Sequence, residues 1–493
     1  AVPAACAAQQ GAGGRESGRP NIVYIMTDDH AYQTVGAYGH PISRLAPTPN
    51  IDRLAREGML FREAFVENSI SAPSRATLLT GVYSHRHGQT TLSYGIMDTT
   101  LAHFPELLRA EGYRTAIFGK WHLSVEPKGF DHSDLLWDQG EYYNPVMRTP
   151  ETGGRYVRQE GYATDIITDH ALAWLDGHRD DDAPFCLMIH HKAPHRNWMA
   201  DLKYLDLYED VEFPEPETLF DDYATRGDQM RQQQLTIDRH MGYAFDFKVE
   251  ELKDEPTLQY IHDSWDIAMS TLTPEQRRVW DDSYGRKNRD FLADRPEGKE
   301  LLRWKYQRYI HDYCRTIRLV DDQIGRVLDY LEESGLMDNT LIVYTSDQGF
   351  LLGEHGLYDK RFMYEESFRT PLIMAWPGGV RGDIAEMVQN IDYAPTLLDA
   401  AGVAVPDGMD GVSLQPLFRS GKARGWRTSL YYQYYDYPAV GSVRAHYGIR
   451  TDRYKLIHWF GPGADGDPDI DFWELYDLRK DPCEVHNVYE ERG

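Results

Sequence analysis

One stretch of the chain decides how the rest is interpreted: Ser71-Ala72-Pro73-Ser74-Arg75-Ala76-Thr77-Leu78-Leu79-Thr80-Gly81. Proline is tolerated in a first helical turn and glycine commonly ends a helix, so the stretch predicts a short helix. Ser71 then lies at the helix N-terminus, where free N–H groups and the helix dipole favour anions. Arg75 lies one turn later and can direct its guanidinium to the same point. The stretch therefore predicts a site for an anionic substrate.

This run of residues resembles the signature of the type I sulfatases, in which cysteine or serine precedes x-P-x-R and a short helix ends in T-G. In that family the first signature residue is oxidised to formylglycine, whose hydrated aldehyde is the nucleophile. The resemblance implies a serine-type enzyme in which a formylglycine-generating maturase modifies Ser71. A plain serine could attack sulfur but would leave a sulfate ester with no internal route of release. A capped helix with a buried arginine is the alternative that the residues alone leave open.

Length and charge bound the function. A chain of 493 residues can bury a large core. It contains no run of eighteen apolar residues, so no transmembrane span is predicted. The net charge is −26, which argues against non-specific nucleic-acid binding and predicts repulsion of long polyanions. If the substrate is sulfated, this charge favours an exo-acting enzyme on short oligosaccharides.

The first 19 residues are of low complexity and predict a disordered tail. Ala4-Ala5-Cys6 resembles the remnant of a bacterial lipoprotein signal, which predicts a periplasmic or exported protein anchored through Cys6. A flexible exported tail is the alternative. The cysteines lack the spacing of a metal site, and Cys186 and Cys314 are predicted to be buried.

Four apolar runs, each followed at once by polar residues, are typical of strands buried in a parallel sheet. The runs are 22–26, 115–118, 185–189 and 341–344. The polar segments that follow them are 27–30, 119–122, 190–195 and 345–349. Open α/β sheets bind ligands at the carboxyl ends of their strands, so these segments predict a single active site.

The rest of the chain predicts two domains after the tail. Residues 20–424 form the catalytic domain, in which the acidic stretch from about 200 to 300 is a helical or irregular insertion. Short strand patterns in 425–493 predict a small antiparallel sheet domain. With the family resemblance, the expected fold is alkaline-phosphatase-like α/β: a central mixed, mostly parallel sheet flanked by helices, with the smaller sheet at the C-terminus.

A metal site is predicted from residues that offer only oxygen ligands: Asp28, Asp29, Asp347 and Gln348. Hard cations prefer such ligands. Together with an oxygen on residue 71 they resemble the sulfatase Ca²⁺ site, where Asn or His is more common at the position of Gln348. The predicted cofactors are Ca²⁺, with Mg²⁺ as the alternative, and formylglycine derived from Ser71.

The resemblance also implies catalytic roles. Lys120 and Lys360 lie in segments similar to those of the sulfate-binding lysines of the family, and Arg75 would orient the nucleophile. His195 corresponds to the histidine that protonates the leaving alcohol. His122 corresponds to the one that takes a proton when the sulfated hemiacetal collapses.

Other polar and aromatic residues near these motifs are predicted to be structural. They are His190 and His191 as hydrogen-bonded core residues, His87 as a support of the Ser71 helix, and the tyrosines of 431–437 as core packing.

The segments 190–199, 353–367 and 446–451 resemble bacterial N-acetylglucosamine-6-O-sulfatases more than arylsulfatases. This implies that Asp359 and Arg361 bind sugar hydroxyls and that His446 reaches the substrate from the second domain. An interdomain hydrogen bond is the equal alternative for His446. The predicted function is exo-hydrolysis of the 6-O-sulfate of N-acetylglucosamine in glycosaminoglycan-derived oligosaccharides.

Two alternatives remain. One is a phosphomonoesterase or phosphodiesterase of the alkaline phosphatase superfamily that uses unmodified Ser71 directly. Such sites usually bind zinc through several histidines, which the Asp-Asp…Asp-Gln set lacks. The other is an inactive sulfoglycan-binding homologue.

Overall fold

The computed structural model describes residues 18–463 and 468–492. Cys6 and most of the predicted tail lie outside these residues. Within the described ranges the strands are β1 (Asn21–Thr27), β2 (Met59–Phe61), β3 (Ala64–Phe65), β4 (Arg114–Gly119), β5 (His132–Leu136), β6 (Val146–Arg148), β7 (Tyr156–Arg158), β8 (Phe185–His190), β9 (Thr340–Ser346), β10 (Leu351–Leu352), β11 (Tyr358–Asp359), β12 (Leu372–Ala375), β13 (Gly382–Ile384), β14 (Val388–Gln389), β15 (Ser429–Tyr434), β16 (His446–Thr451), β17 (Tyr454–Gly461) and β18 (Ile470–Asp477).

The α-helices in the same ranges are α1 (Pro41–Leu45), α2 (Pro49–Glu57), α3 (Ser71–Thr80), α4 (Ser84–His87), α5 (Phe104–Ala110), α6 (Ala163–His178), α7 (Gln229–Gln232), α8 (Ile237–His240), α9 (Gln259–Ser270), α10 (Pro274–Ala293), α11 (Gly298–Glu333), α12 (Glu365–Phe368), α13 (Tyr393–Ala400) and α14 (Gln415–Ser420). None of these helices is both long enough and apolar enough to cross a membrane.

A large mixed sheet forms the centre of the molecule. In the described part of the chain it has ten strands in the order β13-β2-β12-β9-β1-β8-β4-β5-β6-β7. The central strands β9, β1, β8, β4 and β5 are parallel, whereas β12, β6 and β7 pair antiparallel with their neighbours. The four predicted apolar runs are β1, β4, β8 and β9, so their carboxyl ends lie at one edge as expected.

Helices cover both faces of this sheet because alternate strand residues point to opposite sides. Val23 and Ile25 of β1 pack in one apolar cluster with residues of α2, α6 and α11. Ile22 and Tyr24 pack in another with residues of α3, α5 and α13. The result is the α/β layering that the uninterrupted apolar runs predict.

The region between β8 and α11 contains α7 to α10 and, in the described residues, no strand. Its helices α9 and α10 continue directly towards α11, which is 36 residues long. Residues of this region line a cavity at the carboxyl ends of the sheet strands.

The C-terminal part forms a four-stranded antiparallel sheet, β15-β16-β17-β18, within the described residues. Tyr432 and Tyr434 are buried in it while Tyr431 is only half-buried, which confirms core packing for the tyrosines that point inward. The division into domains at residue 425 stays a prediction.

Buried ion pairs join the small sheet to the rest of the protein. Lys455 of β17 lies 2.9 Å from Glu365 and 2.7 Å from Glu484. Arg450 of β16 lies 2.7 Å from Glu63 and 3.2 Å from Glu365. We call the set Glu63, Glu365, Glu484, Arg369, Arg450 and Lys455 the sheet-junction cluster; Arg369 completes it by pairing with Glu63.

Three cysteines fall in the described residues, and none forms a disulfide. Cys186 and Cys314 are buried, as predicted. Burial raises the pKa of both thiols, so they behave as small apolar side chains.

Candidate active site

The predicted site residues come from distant parts of the chain and meet at the carboxyl ends of β1, β4, β8 and β9. The Ser71 hydroxyl donates a hydrogen bond of 3.3 Å to Asp28 Oδ1. The Asp29 N–H donates to Asp347 Oδ1 over 3.2 Å, which joins the ends of β1 and β9. The convergence that the strand endings predict is present in the structure.

The helix α3 begins at Ser71, as the sequence predicts, and ends where Gly81 adopts a φ of 67°. Every residue of this helix is buried. His87 supports it, because its Nε2 lies 2.9 Å from the Thr77 hydroxyl. Burial lowers the pKa of His87 to about 3, so the ring is neutral at pH 7 and acts as a structural hydrogen-bond partner.

Arg75 ties three strand ends together rather than facing open space. Its Nη2 donates to Asp28 over 3.2 Å and its Nε to Asp347 over 3.1 Å. Its Nη1 donates to the Lys120 carbonyl over 2.8 Å. Because Asp28 also accepts the Ser71 hydroxyl, Arg75 orients residue 71 through that carboxylate.

Two adjacent carboxylates can face the same site only where the strand pattern is broken, since successive strand residues point to opposite faces. Asp29 follows β1 and adopts a φ of 67°. His122, Asp359 and Arg361 also have positive φ, at 55°, 76° and 87°. Such backbone conformations are unfavourable for non-glycine residues and concentrate at functional sites.

Three carboxylates and three cations form what we call the strand-end cluster: Asp28, Asp29, Asp347, Arg75, Lys120 and Lys360. Burial opposes the ionisation of Asp28, but the adjacent Lys120 ammonium and other cations hold its pKa well below the usual range. Burial raises the pKa of Asp29 to about 7, although Lys360 opposes the shift. Burial and the Asp28 charge raise the pKa of Asp347.

The donor set fits a hard divalent cation. Gln348 donates to Asp29 Oδ1 over 2.5 Å, while its own Oε1 is buried without a hydrogen-bond partner in the described residues. Asp28, Asp29 and His195 bring potential ligand atoms within 4.8 Å of one another. His195 was predicted as an acid rather than a ligand, so its place beside this set is a finding of the structure.

The two predicted lysines differ in their surroundings. Lys360 lies 2.6 Å from both carboxylate oxygens of Asp29 and lines a cavity. Lys120 is fully buried, pairs with Asp28 and donates to Gln139 Oε1 over 2.6 Å. Lys360 therefore faces an incoming ligand directly, and Lys120 first of all neutralises Asp28.

His195 and His122 also line the cavity. Nδ1 of His195 lies 2.7 Å from the Arg196 carbonyl, which can only accept, so in the neutral ring Nε2 carries the lone pair. Nε2 lies 3.8 Å from Asp29 Oδ2. Burial holds the pKa of both imidazoles well below the usual range. Gln139 Nε2 donates to His122 Nε2 over 2.7 Å.

The cavity has a volume of about 450 Å³. Ser71, Asp359 and Arg361 line it as predicted. One wall comes from the region between β8 and α11 and was missed by sequence reasoning: Phe245, Tyr260, Ser264, Ile267 and Ala268. No periodic signal in that acidic stretch marks them. Lys192 also lines the cavity, and its place directly after β8 was a signal that could have found it.

Arg196 fastens the His195 segment to that wall. Its guanidinium makes two hydrogen bonds of 2.6 Å to the buried carboxylate of Asp246. It also donates to the Tyr260 hydroxyl over 3.1 Å. The position of His195 therefore depends on the region between β8 and α11.

His446 does not line the cavity. It is fully buried in the small sheet, where its ring stacks on Trp459 at a centroid distance of 4.0 Å. Its Nδ1 lies 2.8 Å from the Arg444 carbonyl. The alternation of β16 turns this side chain towards the buried face, so its hydrogen bond lies inside the small sheet rather than at the substrate or between domains. His190 and His191 are buried as predicted.

The chain is similar in sequence to known protein families. The Sulfatase family matches residues 20–403, and the N-sulphoglucosamine sulphohydrolase C-terminal family matches residues 353–493. An N-acetylglucosamine-6-O-sulfatase of Bacteroides thetaiotaomicron is 44% identical over 485 residues, which cover 96% of this chain and 83% of the relative.

Solved structures of other proteins have a similar fold. One determined in complex with its substrate, D-glucosamine-2-N,6-O-disulfate, matches with a TM-score of 0.88 and 43% identity, covering 96% of this chain and 94% of the other. A phosphonate monoester hydrolase from Silicibacter pomeroyi has a TM-score of 0.68 at 20% identity, with coverages of 96% and 91%. The second similarity concerns the fold alone.

Proposed function

This chain belongs to the sulfatase family, and we propose that it hydrolyses the 6-O-sulfate of N-acetylglucosamine in glycosaminoglycan-derived oligosaccharides, acting from the chain end. The observation that carries the proposal is the position of Ser71, at the N-terminus of a buried helix and on a cavity shared with Lys360 and His195. The whole-length similarity to a relative with that activity supports the choice of sugar. The cavity volume of about 450 Å³ suits a small ligand and supports exo action.

Asp28, Asp29, Asp347, Gln348 and the side-chain oxygen of residue 71 are the proposed metal ligands. The unpartnered Gln348 oxygen supports a cation there, and the oxygen-rich set favours Ca²⁺, with Mg²⁺ as the alternative. When bound, such a cation supplies Lewis acidity and positive charge for a sulfate ester.

Formylglycine derived from Ser71 would supply the nucleophilic hydroxyl and a second hydroxyl that lets sulfate leave. The residues around position 71 orient it: Arg75 fixes Asp28, and Asp28 accepts the hydrogen bond from the Ser71 oxygen. Lys360, at the cavity surface, binds the sulfuryl oxygens, and Lys120 offsets the charge of Asp28 below them.

His195 is the proposed general acid. Its Nδ1–H donates to the Arg196 carbonyl, so Nε2 is the atom that would be protonated and would then give its proton to the leaving sugar oxygen. Burial lowers the pKa of this ring, and the negative charge of a bound sulfate ester would raise it again. His122 takes the proton released when sulfate departs, and Asp359 and Arg361 bind sugar hydroxyls.

The test is co-expression with a formylglycine-generating maturase that accepts serine. We expect the intact mass to fall by two hydrogens at residue 71 and sulfate to be released from N-acetylglucosamine-6-sulfate. The 4-O- and 3-O-sulfated sugars serve as controls. Release only from galactose or galactosamine esters would overturn the choice of sugar, and full modification without any turnover would favour a binding protein.

The metal is tested separately on the same purified protein. We expect chelation to remove a calcium or magnesium ion, to lower the melting temperature and to abolish turnover, with recovery when Ca²⁺ is restored. Stoichiometric zinc would contradict this assignment and favour the phosphatase alternative.

Export to the periplasm, with Cys6 as a lipid anchor, completes the proposal. It is supported by the Ala4-Ala5-Cys6 stretch. Labelling of bacterial cells with a fatty-acid probe checks it: incorporation should require Cys6, and a Cys6→Ser variant should appear in the soluble periplasmic fraction.

A further inference from the structure

Lys192 is a buried lysine whose ammonium has no carboxylate within ion-pair distance in the described residues. It follows β8, is 4% exposed and lines the same cavity as Ser71 and His195. In the described residues its ammonium has no hydrogen bond and no ion pair. Its contact there is with the face of Tyr142, whose ring centroid lies 4.8 Å from Nζ.

Within the part of the chain that the structure describes, five other cations at or near the cavity have partners. Arg75 and Lys120 pair with Asp28, and Lys360 pairs with Asp29. Arg196 is bound by Asp246. Arg361 donates to the Tyr434 hydroxyl over 3.3 Å.

An ammonium held out of water without an anion is unfavourable, because the lost hydration is not replaced. Burial, with the Lys120 charge adding to it, lowers the pKa of Lys192 to about 7, although the charges of Asp28, Asp29 and Glu141 act to raise it. The aromatic face of Tyr142 offsets only part of the lost hydration. An anion that entered the cavity would complete the site.

The backbone places Lys192 beside His195, the proposed proton donor to the leaving sugar oxygen. Its carbonyl accepts the His195 N–H over 3.0 Å. Tyr142, which lies under its ammonium, donates from its hydroxyl to the His195 carbonyl over 2.5 Å. Lys192 and Tyr142 thus flank the residue that acts on the leaving oxygen, whereas Lys360 pairs with Asp29 of the strand-end cluster.

We propose that Lys192 binds a second anionic group of the substrate, carried by the sugar portion beside the sulfate that is cleaved. This rests on the proposed function and adds to it a preference for sugars that carry a second negative charge. An N-sulfate on the same ring and the carboxylate of an adjoining uronic acid share this chemistry, and the substrates of the test distinguish them.

The test compares Lys192→Met, which keeps the length of the side chain without its charge, with Lys192→Arg, which keeps the charge. Lys203→Met is the matched control, because its ammonium also lies over a tyrosine, at 5.1 Å from the Tyr204 ring, but outside the cavity. The substrates are N-acetylglucosamine-6-sulfate, glucosamine-2-N,6-O-disulfate, and a disaccharide that joins the 6-sulfated sugar to a uronic acid.

For Lys192→Met we expect kcat/KM on a doubly charged substrate to fall about 30-fold, mostly through KM, and at least tenfold more than on the singly charged sugar. Lys192→Arg should recover most of the loss, and Lys203→Met should behave as the unchanged enzyme. A selective loss on the disulfate assigns Lys192 to the N-sulfate, and a selective loss on the disaccharide assigns it to the carboxylate.

Equal losses on all three substrates would place Lys192 on the cleaved sulfate and overturn the proposal, as would no loss on any. Binding of the same sugars to a Ser71→Ala variant, with and without Lys192→Met, gives a second measurement by calorimetry. That measurement does not need turnover, so it tests Lys192 even if the proposed activity fails. Melting temperatures confirm that each variant is folded.

Discussion

The strand-end cluster and the sheet-junction cluster contain the same kinds of charged side chains but differ in their roles. Each, as defined above, has three carboxylates and three cations, and each is largely buried. The strand-end cluster borders a cavity and includes Asp29, whose φ is positive, beside the unpartnered amide oxygen of Gln348. The sheet-junction cluster does not border that cavity and holds two sheets together. Charge balance alone therefore does not mark a site, and access to a cavity is what separates the two clusters.

The difference has an electrostatic consequence. With all six groups ionised the strand-end cluster is neutral, so a bound divalent cation would leave it with two positive charges, which complements a sulfate ester. The sheet-junction cluster does not line that cavity, so we expect its ion pairs to act on stability. Substitutions in the two clusters separate these two roles.

Ser71→Ala should lower turnover of N-acetylglucosamine-6-sulfate at least 10⁴-fold, because the nucleophile is removed. The melting temperature should change by less than about 3 °C, since the side chain makes one hydrogen bond, of 3.3 Å. Sulfate release and calorimetry measure the two effects. Ser74→Ala in the same helix is the control: it should retain turnover within about tenfold, and a loss as large as that of Ser71→Ala would contradict the assignment.

Lys455→Met should lower the free energy of unfolding by about 3–5 kcal/mol, because Glu365 and Glu484 lose a buried partner. The kcat/KM of the folded protein at 25 °C should stay within about threefold. Urea unfolding and steady-state kinetics measure both. A large loss of kcat/KM with unchanged stability would show that the two clusters are not separate in function.

Lys360→Met should show the opposite pattern, with kcat/KM about 10²–10³-fold lower because a cation at the cavity surface is lost. In the calcium-loaded protein the loss of stability should be smaller than for Lys455→Met, since the metal would still neutralise Asp29. Melting temperatures measured with and without chelator check this. The difference in melting temperature between Lys360→Met and Lys455→Met should become smaller when the metal is removed.

The smallest effect concerns pH and His446. Burial lowers its pKa from 6.5 to about 3, so between these values the unfolded chain binds a proton that the folded protein does not. Stability therefore falls as pH decreases below 6.5, and His446→Phe should remove about 2 kcal/mol of the loss at pH 5. Urea unfolding at pH 7 and pH 5 measures it. The KM of His446→Phe at pH 7 tests the alternative that His446 contacts the substrate, because a tenfold rise in KM would support that contact.

Sequence reasoning predicted the fold class and the family correctly, because both rest on local signals. The apolar runs that became β1, β4, β8 and β9, and the proline and glycine that bound α3, are readable without knowledge of distant contacts. The same strand endings predicted which residues would converge. The catalytic and metal-binding roles stay predictions.

What escaped prediction depends on tertiary structure. Whether Lys192 finds a counter-ion is decided by side chains from other elements, and no spacing encodes it. The wall formed by Phe245, Tyr260 and Ile267 belongs to a stretch without regular periodicity. For His446 the sequence does not fix which face of β16 the side chain lies on, since a shift by one residue exchanges the buried and exposed faces.

The hydrogen-bonded ion pair between Arg196 and Asp246 gives the region between β8 and α11 a second role. Natural or laboratory evolution can vary the cavity wall on α9 to suit new sugars, but a graft that omitted Asp246 would loosen the proposed proton donor as well. Exchange of this segment between relatives should succeed only as a unit that carries the aspartate with the wall. In this protein the part most open to new specificity is thus also coupled to the chemistry, which limits how freely it can be recombined.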